Sequence, residues 1–293
     1  MSRRDSLVGN QKEERMKYTR YFDDTSLIEN VLDKETASCI YGKLRDEIPW
    51  VEMSHRGGPV PRLIACQGEV NNDGSVPIYR HPTDEFLALD QFSPNVEIIR
   101  NQVEKILGHQ VNHVLIQYYR HGEDSISEHC DKTLDIVPGT FIGNFSLGAQ
   151  RTMTFRSKRS TKHESGDAQS RQIYRVPLPH NSLCKMGPKS NLKLLHGIRK
   201  DKRPQRLKTP EELAYNGGRI SLTFRLIGTY LSADRQLIWG QGATGKSRES
   251  AHYVVHECST ESERMLRAFG LENSLSDFDW NKYYGGGFNV LHV

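Results

Sequence analysis

SEHCDKT, Ser127 to Thr133, is the stretch on which the reading of this chain turns. In an extended segment, side chains two apart leave the same face, so His129 and Asp131 can converge on one point. Alone the pair is a weak signal, since a chain with 12 histidines produces one by accident. His196 adds weight: it lies in the apolar run LKLLHGI, Leu192 to Ile198, and a sheet that folds back on itself brings it beside the pair. Two imidazoles and one carboxylate on one face leave coordination positions open, the donor set of non-heme Fe(II) oxygenases. By itself His196 would read as a core histidine with its hydrogen bonds met.

Further along, GGRISLTFR places Arg219 and Arg225 an even number of residues apart in a strand, so both guanidinium groups leave one side of the sheet. Ile220, Leu222 and Phe224 take the other side, as in a two-faced core strand rather than an exposed one. Two buried guanidinium forks beside a metal need an anion, and a dicarboxylate meets that need.

Outward from these residues, strand-like runs are expected at Asn112–Tyr119, Thr140–Leu147, Thr152–Phe155, Ile173–Val176, Ser182–Met186 and Arg219–Tyr230, each bounded by turn residues. That spacing predicts a mostly β (α+β) chain with an antiparallel jelly-roll core. Helical periodicity predicts two flanking N-terminal helices, Ser26–Leu44 and Asn95–Leu107. Between them HRGGPVPRLIACQGEVNNDGSVPIYRHP, His55 to Pro82, reads as hairpins over a cleft. Residues Thr161–Arg171 and Lys200–Asn216 read as polar loops.

Composition excludes whole classes. The 293 residues are 36% hydrophobic and 26% charged, enough apolar content to bury a core. No run approaches the roughly 20 apolar residues of a membrane helix, and the first 30 residues lack the apolar region of a secretory signal, so no membrane and an intracellular location, cytoplasmic or nuclear, are expected. Five scattered cysteines without a CxxC pair suggest neither a disulfide framework nor a structural zinc site. A net charge of +4 neither forces nor forbids a nucleic-acid partner. No obligate protein partner is implied.

The order HxD, His, RxxxxxR resembles the AlkB-like family of Fe(II)/2-oxoglutarate dioxygenases, over most of Trp50 to Tyr230. PRLIACQG (Pro61–Gly68) and VPIYRHP (Val76–Pro82) are similar to that family's substrate lid, LIQYYR places Tyr119 where the family has a tyrosine touching 2-oxoglutarate, and IGNFSLGAQRTMTFR matches its central strand pair. The resemblance implies a double-stranded β-helix with Fe(II) held by His129, Asp131 and His196. It also implies 2-oxoglutarate held by Tyr119, Arg219 and Arg225, with Gln117 and Ser221 beside it. O2 would be the second co-substrate, giving succinate, CO2 and an oxidised C–H bond; oxidation at an N-methyl carbon would release formaldehyde. The implied organisation is an arm over 1–25, the dioxygenase domain over 26–232 (lid about 50–90, jelly-roll core about 111–232) and a C-terminal extension over 233–293 packed on the core.

Departures from the family pattern bear on substrate. Thr133 stands where nucleic-acid dealkylases carry an acid four positions after the first iron histidine, and a hydroxyl cannot supply the charge that favours a cationic base. Gln117 and Ser221 stand where the family has asparagines. Arg62 and Tyr79 in the lid-like segment are expected to contact substrate. The tail GGGFNVLHV, with Phe288 and Val290 after three glycines, reads as an apolar plug able to close over a small substrate, or as a tail docked outside the sandwich. GQGATGKS, Gly240 to Ser247, fits the phosphate-binding P-loop pattern letter for letter, yet too little chain follows it for the parallel strands such a loop requires. Basic residues cluster at Arg156, Lys158, Arg159 and Lys162, and from Arg199 to Lys208. The preferred substrate reading is a small metabolite, amino-acid-derived and biosynthetic, resting on Thr133 and the tail. The alternative is oxidative dealkylation of N-alkylated DNA or RNA bases, and a third is a P-loop nucleotide-binding protein using Lys246.

Overall fold

The structure, a computed structural model, describes residues 15–55, 58–82, 88–158, 171–255 and 260–291. The first 14 residues of the arm, Gly57, Arg159, Lys162, most of the 161–171 loop, Cys258 and His292 lie outside the described residues.

In chain order the N-terminal part gives strands β1 (Lys17–Phe22) and β2 (Thr25–Glu29), helix α1 (Lys34–Glu47), strands β3 (Val51–His55), β4 (Gly58–Gly68), β5 (Val76–Pro77) and β6 (Leu89–Gln91), and helix α2 (Pro94–Leu107). The middle gives β7 (His113–Tyr119), β8 (Ile126–His129), β9 (Ile142–Gly148), β10 (Arg151–Ser157), β11 (Ile173–Leu178), β12 (Ser182–Met186), helix α3 (Pro188–Lys193), β13 (Leu194–Ile198), the short helix α4 (Pro210–Leu213) and β14 (Arg219–Arg225). The C-terminal part gives β15 (Thr229–Leu231), β16 (Leu237–Gly240), β17 (His252–Tyr253), α5 (Thr260–Ser274) and α6 (Trp280–Tyr284).

These strands build the expected jelly roll. A large sheet runs β1-β2-β12-β9-β14-β7-β4-β3 with β6 alongside β4, and a second sheet runs β11-β10-β13-β8. A third, β17-β16-β15-β5, ties the C-terminal part to the 76–77 segment. Helices α1 and α2 cover the outer face of the large sheet, where Leu44, Val96, Ile99 and Val103 meet Phe145, Ile220, Leu222 and Phe224. Each fully buried aliphatic side chain there contributes on the order of 1.5–3 kcal/mol. The inner face meets the second sheet through Met153, Phe155, Val176 and Ile198. Among the described residues no helix is long and apolar enough to cross a membrane, and Cys39, Cys66, Cys130 and Cys184 are free thiols.

Three sequence expectations shift. Leu27 and Ile28 lie in β2, not in the first helix, because Asp33 caps the helix by accepting from the Thr36 amide at 2.9 Å. A strand paired on both edges and buried on both faces reads as a continuous apolar run, which mimics helical spacing. The run expected over Arg219–Tyr230 is two strands in different sheets, β14 and β15. The second helix fits its expected span, opening on Pro94 and closing on Gly108, whose φ of 81° is the left-handed conformation glycine adopts without strain. Residues 17–22, expected as part of an arm, form the edge strand β1.

Candidate active site

His129 ends β8 and His196 sits in β13, directly opposite each other in the antiparallel register, with ring centroids 4.6 Å apart. The neighbouring Gly197 is required there: a Cβ would meet the Ile126 carbonyl oxygen at 2.8 Å and the Glu128 nitrogen at 3.1 Å, pushing away the strand that carries His129. Asp131 follows two residues after His129, and one ligand atom from each of His129, Asp131 and His196 lies within 4.8 Å of the other two. The His129 Nδ1 donates to the Ser127 carbonyl oxygen at 2.8 Å, which fixes the tautomer and leaves Nε2 as the free donor atom.

Asp131 is held from three sides. Asn191 of α3 brackets its backbone, accepting from the Asp131 amide and donating to its carbonyl oxygen, both at 2.9 Å. Arg225 donates to Oδ1 at 2.9 Å, and the Tyr79 hydroxyl lies 3.4 Å from the same oxygen. Burial would raise this carboxyl, but the Arg225 guanidinium and the two imidazoles outweigh it and hold the acid well below the ordinary carboxylate range. Burial and the adjacent His129 lower His196 to about 3, and burial lowers His129 too. At neutral pH the cluster is two neutral imidazoles and one carboxylate, the protonation state in which a divalent cation is bound.

Across the cavity, β14 places Arg219, Ser221, Thr223 and Arg225 on the inner face of the large sheet, with Arg219 opposite Tyr119 and Ser221 opposite Gln117 on β7. One Arg219 amine donates to Ser146 Oγ at 2.8 Å, Asn144 Oδ1 at 3.2 Å and Ser221 Oγ at 3.2 Å, and its guanidinium lies 5.2 Å from the Tyr119 ring centre. Nε and Nη1 of both Arg219 and Arg225, together with Asp131 Oδ2, are buried without a hydrogen-bond partner. Leaving several charged atoms of three side chains orphaned around one space costs several kcal/mol unless a cation and an anion are bound there. The residues therefore fit Fe(II) on the triad and a dicarboxylate on the arginines.

These groups line one cavity of about 350 Å³. Arg62 and Tyr79, from the lid-like segment, line it. Arg62 is braced on Gln117 Oε1 and the Ser125 carbonyl, and Tyr79 lies under the Arg225 guanidinium at 4.1 Å from its ring centre. Three expected substrate contacts lie elsewhere. Thr133 turns from the cavity, donating its hydroxyl and amide to Glu272 Oε1 of α5 at 2.5 and 3.0 Å. Phe288 and Val290 pack in a separate core against Met265, Phe269 and Tyr284, so the tail docks outside the sandwich. Arg80 anchors it, donating to the Phe288 and Val290 carbonyls while paired with Asp135, both side chains at most 1% exposed. The P-loop look-alike is a tight turn after β16: the Lys246 ammonium donates to the loop's own Gln241 and Ala243 carbonyls at 3.0 and 2.7 Å, and a three-residue 3-10 turn follows, not a helix. Asn144, Asn191, His81 and Asn273 belong to the cavity or its support and carry no sequence signal, since each gains its meaning only from a partner distant in the chain.

Residues 24–225 match the 2OG-Fe(II) oxygenase superfamily. The chain is 33% identical over 201 residues to the mouse DNA oxidative demethylase ALKBH2, an alignment covering 66% of this chain and 76% of that protein. This chain is an AlkB-like 2OG-Fe(II) oxygenase. It is 36% identical over 136 residues to human DNA oxidative demethylase ALKBH2, covering 46% of each, and 27% identical over 200 residues to rat alpha-ketoglutarate-dependent dioxygenase alkB homolog 3, covering 67% of this chain and 61% of that one. The chain thus spans about half of the human relative's length and under two thirds of the rat relative's. A P-loop nucleotide-binding role has no place in this family assignment. The family makes the chain a non-heme iron, 2-oxoglutarate-dependent dioxygenase.

Proposed function

We propose that this AlkB-like oxygenase oxidatively dealkylates N-alkylated nucleic-acid bases. The observation that carries the reading is the identity with the mouse DNA oxidative demethylase across three quarters of that protein (76%). The two features that pointed to a small metabolite lose their force: the tail does not plug the cavity, and Thr133 does not face it.

His129, Asp131 and His196 would hold Fe(II), and with 2-oxoglutarate bound this centre supplies the oxidation of an N-alkyl C–H bond, the resulting carbinolamine losing formaldehyde. Arg225 is fixed beside the His129–Asp131–His196 cluster by its pair with Asp131, so it would take the keto-acid end of 2-oxoglutarate. Arg219, at the Ser146 and Tyr119 end, would take the distal carboxylate. The pocket wall of Met53, Val60, Ile64 and Tyr79 would exclude water from a base turned out of its strand. Outside, the loop after β13 is partly neutralised, Arg199 pairing with Glu128 of β8, and Arg203 and Lys208 with the loop's own Asp201. Lys200, Lys202 and Arg206 stay exposed on it, next to the cavity-lining Ile198, where they would meet phosphates.

The test is release of formaldehyde and succinate from single-stranded oligonucleotides carrying one methylated base. Binding should weaken with salt, and the slope should shrink by roughly 2 in the Lys200→Ala, Lys202→Ala, Arg206→Ala triple variant. Turnover of 2-oxoglutarate with no formaldehyde from any methylated oligonucleotide would sink the proposal.

A further inference from the structure

Helix α5 lies beyond the matched family region of 24–225, yet its last turn reaches the site. Glu272, 3% exposed, accepts from Thr133 through Oε1 and from the Tyr284 hydroxyl through Oε2 at 2.7 Å, and its carbonyl oxygen accepts from the Lys158 ammonium at 2.7 Å. The turn is therefore locked onto the segment that carries Asp131. Asn273, the next residue, lines the cavity.

Its amide has a determined orientation. Oδ1 accepts from the Cys130 amide at 3.0 Å, from the Lys132 ammonium at 2.6 Å and from the Cys130 thiol at 3.2 Å. The two N–H donors can only be matched by an oxygen, so Nδ2 is the end left for the cavity. A preorganised donor there distinguishes substrates by whether they present an acceptor, because an amide facing another donor leaves both unsatisfied.

We propose that Asn273 is a specificity-determining residue that donates to the ring substituent beside the alkylated nitrogen, a carbonyl oxygen in neutral N-alkylated bases such as 3-methylthymine but an amino group in cationic ones such as 3-methylcytosine, and so favours the neutral bases. The inference rests on the base-dealkylation reading above. It assigns to α5 the discrimination that Thr133, turned toward Glu272, does not make.

Asn273→Asp tests it, since the aspartate keeps an acceptor for Cys130 and Lys132 but turns a second acceptor toward the cavity. Wild type and variant are compared on otherwise identical oligonucleotides carrying 3-methylthymine, which is neutral, or cationic 3-methylcytosine. The ratio of kcat/KM for the neutral base to that for the cationic base should fall about tenfold, the worth of one hydrogen bond. Where the aspartate unfolds the protein, Asn273→Ala substitutes for it: its rate on the neutral base should fall selectively, with no gain on the cationic one. Wild-type activity on both oligonucleotides with an unchanged ratio in the variants overturns the assignment alone. Wild-type silence on both overturns it together with the base-dealkylation reading.

Discussion

SEHCDKT and GQGATGKS make an instructive pair. The first contains a two-residue motif that chance supplies readily, and the fold makes it two corners of a triangle of candidate metal donors. The second matches an eight-residue pattern letter for letter, and the fold makes it a clasp: Lys246 turns back on its own loop, and the Gln241 amide donates to the Thr133, Leu134 and Ile136 carbonyls, holding the chain just past Asp131. A motif's length says how rarely it arises by chance. Its chemistry depends on whether neighbouring elements leave its donors free for a ligand or occupy them. The P-loop requires a strand followed by a helix, whose N-terminus helps bind phosphate, and no such helix follows here.

That contrast can be broken experimentally. The largest effect is expected from Asp131→Ala or His196→Ala: succinate formation should fall to background, and the purified protein should lose stoichiometric Fe(II) on metal analysis. Retained iron in either variant would separate the triad from metal binding. Arg80→Ala should come next, leaving the Asp135 carboxylate buried with only the residue-80 backbone amide as partner; losing the partner of a buried charge costs about 3–5 kcal/mol, read as a lowered denaturant midpoint. Arg219→Ala should raise the KM for 2-oxoglutarate roughly ten- to a hundredfold with a smaller change in kcat, the range for a charge-assisted hydrogen bond. An unchanged KM would mean that the orphaned guanidinium holds some other anion.

Acid should act on the metal-free protein more gently. His81 and His196 are lowered by burial to about 4 and about 3, so below the unfolded value of about 6.5 the unfolded chain binds more protons than the folded one. Stability therefore falls as pH drops from about 6.5 toward those folded values, by about 1–2 kcal/mol per ring at pH 5. Fe(II) on His196 should raise stability at both pH 5 and pH 7 yet keep that ring's share of the pH dependence, because a metal-bound imidazole takes up no proton, and denaturation with and without metal at the two pH values can read both effects. The smallest effect belongs to Lys246→Ala: dioxygenase turnover should stay within twofold of wild type, with a stability loss of about 1 kcal/mol, and isothermal titration with ATP should give no heat for either protein. A large loss of activity would reverse the contrast between the two motifs.

Much of the site was legible because it is written in strand periodicity. The even spacing from Arg219 to Arg225 within β14 fixes which side chains share a face, whereas His129 and Asp131 converge although Asp131 lies just past the end of β8. The first helix was misplaced because β2, buried on both faces, has no alternation to read. Asn144, Asn191 and Asn273 were illegible for a different reason. An asparagine's sequence neighbours do not say which distant amide or ammonium will occupy its oxygen, yet that partner decides what its nitrogen does. Thr133 shows the same gap: its position relative to His129 follows the family pattern, but Glu272, far along the chain, takes its hydroxyl.

By itself, then, the sequence determined the donor types, their order and the faces they share, because backbone geometry converts spacing directly into direction. The tertiary structure decided which of those groups meet, which are already satisfied and which keep a free atom for a ligand. The pairing of β8 with β13 and the docking of α5 and the tail are long-range contacts, and the direction of a hydrogen bond is set only when both of its ends are in place.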